Sequence, residues 1–310
     1  MKNKTTARNM EKTKDKAGAA TVSLGAVDIG SNAVRLLIAS RVKTPEGIRL
    51  QKSLFLRVPL RLGEDVFLKG KVGEKRRGNL LHVMNAFRHL LRAYEVPIFR
   101  VCATAAMREA ENSREIVAFI KKEAGMKIEV LDGMDEARII CESHVADSLD
   151  PSLRYIYVDV GGGSTELSLL HGKKIQISRS FNIGTLRMLA NRVDPLEWQR
   201  LDEWLQKLRT DPKPLEIIGS GGNINKLYRM SKIGDGRKLT VSKLRGIYEK
   251  TRKLSIGERM ERLGMRPDRA DVIIPAAELF LRIASVAGVR RLNVPSIGLV
   301  DGIVHQLSQS

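Results

Sequence analysis

The chain has 310 residues, 43% apolar and 29% charged, the proportions of a soluble globular protein with length for two domains. Two cysteines, Cys102 and Cys141, exclude a disulfide framework and a four-thiolate zinc site; no apolar run reaches the roughly 18 residues of a membrane span, and the basic N-terminus lacks the apolar segment of a secretory signal. The formal net charge of +19 predicts an anionic partner such as a nucleotide, a nucleic acid or a phosphate polymer, although aromatics at 5% argue against stacking on single-stranded nucleic acid.

Residues 1–21 are polar, basic and aperiodic and read as a disordered tail. Structure is predicted to begin with a strand over Val22–Asp28, a second over Val34–Val42, a turn at Thr44-Pro45-Glu46-Gly47 and a third strand over Ile48–Val58. Residues 76–94 carry Leu80, Leu81, Met84, Phe87, Leu90 and Leu91 at helical spacing. Ile98–Ala103 is a strand, Arg108–Ala124 a helix, Lys127–Leu131 a strand and Asp135–Val145 a helix. The order then restarts. Tyr155–Gly161 repeats the first strand and its ending, with Asp159 standing 131 residues after Asp28. Thr165–Leu170 and Lys174–Phe181 are the next strands. Helices near 185–192 and 195–209 and a strand over Leu215–Ile218 follow, and the remainder is helical except for Arg291–Val294. Strands alternating with helices predict a mainly parallel, buried sheet in each half, with the ligand at the carboxyl ends of the strands in a cleft between them.

Three glycine turns stand at strand ends: Asp28-Ile29-Gly30-Ser31-Asn32, Asp159-Val160-Gly161-Gly162-Gly163-Ser164-Thr165-Glu166, and Gly219-Ser220-Gly221-Gly222-Asn223. Glycines let backbone N–H groups approach an oxyanion, and the third turn opens a helix whose first amides favour phosphate. None matches a Walker loop or a dinucleotide fingerprint. Asp28 and Asp159 each close an apolar strand, where a carboxylate is costly unless it is paired or holds a cation. Glu166 follows Asp159 by seven residues and reaches the same place.

The strings Val27-Asp28-Ile29-Gly30-Ser31-Asn32, Ala103-Thr104-Ala105-Ala106-Met107-Arg108-Glu109-Ala110, Asp135-Glu136-Ala137-Arg138 and Asp159-Val160-Gly161-Gly162-Gly163-Ser164-Thr165-Glu166 resemble the exopolyphosphatase and guanosine pentaphosphate phosphatase family, over about residues 22–309. The resemblance implies an α/β fold of two ribonuclease-H-like domains, as in actin-like ATPases, sugar kinases and Hsp70. Domain I would span 22–134, with 298–310 packing back on it, and domain II 135–297. It further implies release of terminal phosphate from inorganic polyphosphate or guanosine pentaphosphate with Mg2+ or Mn2+. Glu136 would be the catalytic base and Arg108 a phosphate contact. Asp28, Asp159 and Glu166 would be metal-side acids. Gly30, Ser31, Asn32, Gly161, Gly162, Gly163, Ser164, Thr165, Gly219, Ser220, Gly221 and Gly222 would hold phosphate. A cytoplasmic homodimer without a membrane partner is the expected form, with nucleic acid as an alternative driven by charge alone.

Two positions depart from the family pattern. Ala33 removes a hydroxyl after the first turn, and Gly298-Leu299-Val300-Asp301-Gly302 puts Val300 where relatives have arginine. These departures keep a weakly catalytic polyphosphate or alarmone sensor open as a second reading. Other residues read as scaffold. His82, His89, His144, His171 and His305 have no metal spacing, and Trp198 and Trp204 share a helical pattern with Leu201, Leu205 and Leu208. Lys69, Lys71, Lys75, Arg76 and Arg77 form either a solvated basic face or a polyanion track. Residues 226–262 carry a net charge of +8.

Overall fold

A computed structural model describes residues 22–44, 47–141, 149–172, 174–295 and 297–309, with Cys141 described by its backbone only. The N-terminal tail, Pro45 and Glu46 of the first turn, His144 and the side chain of Cys141 lie outside the described residues. Strands β1 (Val22–Ile29), β2 (Ala33–Thr44) and β3 (Gly47–Pro59) form an antiparallel meander. Helices α1 (Leu62–Lys69) and α2 (Glu74–Ala93) lead to β4 (Ile98–Ala103), α3 (Ala105–Glu109), α4 (Ser113–Ala124), β5 (Ile128–Val130) and α5 (Gly133–Cys141). β4 pairs parallel with β1 and β5 with β4, giving the order β3-β2-β1-β4-β5.

The second sheet repeats this wiring. β6 (Arg154–Val160), β7 (Thr165–His171) and β8 (Lys174–Phe181) form the meander. Helices α6 (Thr185–Leu189) and α7 (Pro195–Arg209) lead to β9 (Leu215–Ser220), which pairs parallel with β6. Then come α8 (Gly222–Ser231), β10 (Leu239–Thr240), α9 (Val241–Arg252), α10 (Ile256–Leu263), α11 (Pro267–Ala270), α12 (Ile273–Ala287), β11 (Arg291–Asn293) and α13 (Leu299–Gln309). The order is β10-β11-β9-β6-β7-β8. Two mixed sheets, each a three-stranded antiparallel meander continued by parallel strands, with β10 added antiparallel at the edge of the second, give the duplicated α/β fold expected from the sequence. Neither sheet is mainly parallel as expected, because each half opens with two hairpins, which can only pair antiparallel. No helix among the described residues is long and apolar enough to cross a membrane.

Hydrophobic burial accounts for the layering. One core lies between the first sheet and its outer helices, through Ile29, Leu36, Leu80, Met84, Phe87 and Ile116. A second lies between the other sheet and its helices, through Val158, Leu201, Ile224, Leu244 and Phe280. Trp198 and Trp204 pack against this core. A third joins the facing sides of both sheets through Leu24, Leu37, Tyr155, Tyr157 and Ile218, with Ile140 of α5 and Leu299 and Ile303 of α13. α13, last in the chain, thus lies on β1, β2 and α5.

Sequence periodicity missed α1, and the reason is physical. The helix has eight residues and starts after Arg61 in the left-handed conformation (φ 54°) with no side-chain cap. Packing of Leu62, Val66 and Phe67 holds it in place of a local signal. The helix expected over Arg108–Ala124 is two helices. Asn112 accepts from Val72 N at 3.1 Å and donates to Val72 O at 2.9 Å, so the chain turns there. The two-residue β10 was also missed, being too short to show alternation.

Candidate active site

The first hairpin of each meander closes with the same turn. Gly30 N donates to Ala33 O at 3.1 Å, and Gly161 N to Ser164 O at 3.0 Å. The turns face each other: a Cβ on Gly162 would stand 2.9 Å from Cβ of Ser31. The third turn contains Gly221 at φ +99°, a conformation that favours glycine, and Gly222 opens α8. The three turns line one cleft of about 350 Å³, together with Asp28, Glu136, Asp159 and Glu166. Thr165, Gly219 and Ser220 stand behind the wall. Thr165 Oγ1 donates to Ile183 O at 2.5 Å and Ser220 Oγ to Ile297 O at 2.9 Å. Gly219 makes room for Ile224 and Phe280 of the core.

Register explains how the duplicated acids diverge. Asp28 lies opposite Arg35, and Asp159 lies opposite Glu166 at the matching position. Arg35 therefore donates to and pairs with Asp28, while Glu166 doubles the negative charge beside Asp159. Burial, then Glu166, push the Asp159 carboxyl up to about 7; Arg35 opposes this and Asp28 adds to it. Burial also raises Asp28 despite Arg35.

Glu136 sits in the first turns of α5, 8% exposed. Burial, then Glu166, Asp159 and Asp28, hold it well above the usual carboxylate range, against the pull of Arg108. Its Oε2 is buried without a hydrogen-bond donor. Arg108 Nη1 lies 3.7 Å from that oxygen and Nη2 lies 3.8 Å from Glu166 Oε1. Arg108 Nη1 also donates to Leu131 O at 3.0 Å, so the guanidinium is fixed between the two glutamates rather than paired with Glu111. Glu166 Oε1 accepts from Ser164 Oγ at 2.6 Å and Ser180 Oγ at 3.1 Å. Burial raises this carboxyl as well, against those hydrogen bonds and Arg108.

Four carboxylates thus share a cleft whose lining includes Arg35, while Arg108 stands just behind that lining, against Glu136 and Glu166. Such a set fits a hard cation held by few protein oxygens, with phosphate and water completing the shell. Among the described residues no three or more histidines, cysteines or acids are grouped so that they could hold a metal ion by themselves. Asp159 and Glu166 are the better donors, because Asp28 is committed to Arg35. One consequence can be measured without any cation. Asp159 is protonated below about 7 when folded and below its ordinary 3.8 when unfolded. Between those values the folded chain binds more protons, so stability falls as pH rises through the window. Thermal unfolding in chelator from pH 4 to 8 should show a falling Tm, and Asp159→Asn should flatten the slope.

The opposite wall, which sequence reasoning missed, is cationic. Arg57 on β3 pairs with Asp268. Arg269 donates to Gly222 O, and burial, then Arg57 and Arg35, push its guanidinium down to about 10. Arg229 joins it in lining the cleft. The available signal was Arg35 inside the apolar run Ala33–Ala39, where an unpaired charge would be costly. The basic block around the start of α2 contributes no free arginine track, since Arg76 clamps Glu64 and Asp65, and Arg77 pairs with Glu74 and Glu115. Val300 lines the cleft beside Asp301, which pairs with Lys52. His82, His89 and His171 are exposed.

An α/β cleft that places buried acids, a clamped arginine and three glycine turns together is the architecture of a phosphate-handling enzyme. Residues 50–310 match the model of the Ppx/GppA phosphatase family. The chain belongs to the Ppx/GppA phosphatase family. It is 25% identical over 296 residues to exopolyphosphatase 1 of Mycobacterium leprae, covering 89% of this chain and 85% of that one. A family member from Aquifex aeolicus superposes with a TM-score of 0.74 at 28% identity, over 93% of this chain and 98% of the other. An exopolyphosphatase from Cytophaga hutchinsonii shares the fold, with a TM-score of 0.80 at 23% identity over the same shares.

Proposed function

We propose that the cleft takes the end of an inorganic polyphosphate chain and releases its terminal phosphate by attack of water. The observation that carries this reading is Glu136, a buried carboxylate with a free oxygen, held beside Arg108 and facing the two paired glycine turns. The exopolyphosphatase relatives support it. Phosphoryl transfer asks a protein for placement and charge stabilisation more than for covalent chemistry. Amides of Ser31 and Asn32 in the first turn and of Gly162–Ser164 in the second seat the terminal phosphate, Gly30 N and Gly161 N being spent on closing the turns. Glu136 orients a water and takes its proton as the new P–O bond forms. The bridging P–O bond breaks and the shortened chain leaves as the anion. Arg108 offsets charge on the equatorial oxygens. Asp159 and Glu166 would hold Mg2+ or Mn2+, which supplies charge compensation to the phosphate oxygens when bound.

The cationic wall of Arg57, Arg229 and Arg269 meets the inner phosphates of the chain. Arg269→Ala is expected to raise KM for long-chain polyphosphate about tenfold with kcat within about threefold, and to flatten the loss of activity with salt. Phosphate release measured from 50 mM to 500 mM salt checks both. A KM unchanged at every salt concentration removes the wall from the substrate path.

A second reading, hydrolysis of guanosine pentaphosphate, is favoured by Phe55. This side chain is 52% exposed on the cleft rim between Lys52 and Arg57, where a base can stack. Turnover of polyphosphate and guanosine pentaphosphate side by side decides between them. A protein that binds either without releasing phosphate would be a sensor.

A further inference from the structure

We propose that Arg187 is a positioning residue that locks the second glycine turn to the helix carrying Arg108, and that phosphate release depends on this lock. The proposal rests on the hydrolytic reading above for what is being positioned. Arg187 lies on α6, behind the turn, and its side chain is 12% exposed. Its Nε donates to Gly163 O at 2.8 Å. Its Nη2 pairs with Glu109, the residue next to Arg108 on α3. Its guanidinium carbon stands 4.3 Å from the centroid of the Phe67 ring on α1. One planar group thus touches a turn of the second sheet and two helices of the first half.

The surrounding backbone shows that the turn has little other slack. Thr185 N donates to Gly161 O at 3.0 Å and Leu186 N to Gly162 O at 2.8 Å. A Cβ on Gly184 would meet the Gly163 carbonyl carbon at 2.4 Å, and one on Gly163 would meet Phe67 Cζ at 2.2 Å. The turn is therefore pressed between α6 and Phe67, and Arg187 sets the rotation of its last peptide unit. Peptide units are planar and trans. With the Gly163 carbonyl held on Arg187, the Ser164 N–H points the opposite way, toward the cleft that Gly163 and Ser164 line. Through Glu109 the same guanidinium steadies α3 and with it Arg108. Lysine cannot replace it, because a single ammonium can neither stack flat on Phe67 nor donate along two diverging directions.

The test uses Arg187→Ala, Arg187→Lys and Glu109→Gln in the full chain. Three readouts are taken: kcat and KM for phosphate release from long-chain polyphosphate with Mg2+, the Tm, and amide hydrogen exchange of residues 161–165. Arg187→Ala is expected to lower kcat about 10- to 100-fold with KM within about threefold, and to speed exchange in 161–165 about tenfold or more while β6 and β7 stay protected. Arg187→Lys should recover less than half of kcat. Glu109→Gln, which keeps a hydrogen-bond acceptor, should lose about two- to fivefold. Should Arg187→Ala fail to fold, Arg187→Lys carries the same readouts. A kcat within twofold of the parent, unchanged exchange in the turn, or full recovery by lysine overturns the proposal. A parent chain that releases no phosphate defeats the hydrolytic reading instead, and the exchange measurement still decides the lock.

Discussion

Glu136→Gln is expected to lower kcat for phosphate release by about 10²- to 10⁴-fold while polyphosphate binding stays within about threefold of the parent. The glutamine keeps the volume and one acceptor but has no basic oxygen to take a proton from water. Its buried position makes the result sharper than for a surface acid, since Oε2 faces no competing donor, and burial with the neighbouring acids raises the carboxyl above the ordinary glutamate range, which strengthens it as a proton acceptor. The like-charged cluster also relaxes when one member is neutralised, so the Tm should rise or hold rather than fall. Hydrolysis at the parent rate would transfer the role of base to another of the four acids. Loss of binding together with hydrolysis would mean that Glu136 holds the substrate and does not activate water.

Gly302→Ala is expected to destabilise the fold although it adds only one carbon. A Cβ there would stand 2.2 Å from Ile139 O, a backbone atom of α5 that cannot swing aside. In a helix interior alanine is otherwise favoured over glycine by about 1 kcal/mol. Overpacking against fixed backbone costs about 3 kcal/mol or more, so the clash wins by about 2 kcal/mol and the Tm falls by about 4–8 °C. Gly246→Ala is the control: it lies in α9 with nothing within 4 Å of the added carbon, and it should leave the Tm unchanged or slightly higher. Activity should fall with Gly302→Ala beyond the loss of folded protein, because α5 carries Glu136 three residues before Ile139. Equal Tm values for the two variants would show that α13 is free to move off α5.

Much of this arrangement is visible in the chain before it folds. The doubled strand-Asp-glycine pattern at Asp28 and Asp159 marks the two sheets, because only a repeated meander returns an acid to the same place at the same spacing. The turns were legible for the same reason. What escaped was set by contacts distant in sequence. α1 is held by packing, with no N-cap side chain to announce its start, although Gly70 closes its end. The arginine wall is assembled from β3, α8 and α11, and no spacing rule brings Arg57, Arg229 and Arg269 together. Of the glycines that the resemblance assigned to phosphate, Gly219 belongs to a core strand, although it shares a string with Gly221 and Gly222 of the cleft. The departure at Val300 is placed at the cleft wall, and its effect on rate is read most directly by comparing Val300→Arg with the parent.

The place of α13 has a consequence for how the molecule comes into being. The first meander leaves the ribosome well before α13, and domains tend to fold in the order they are made. Yet one side of β1 and β2 waits for Leu299, Ile303 and Val304, which are synthesised after every strand of both sheets. Until then a nascent chain carries an uncovered apolar sheet face and an unsupported Glu136 helix, and it gains its working centre only once α13 docks.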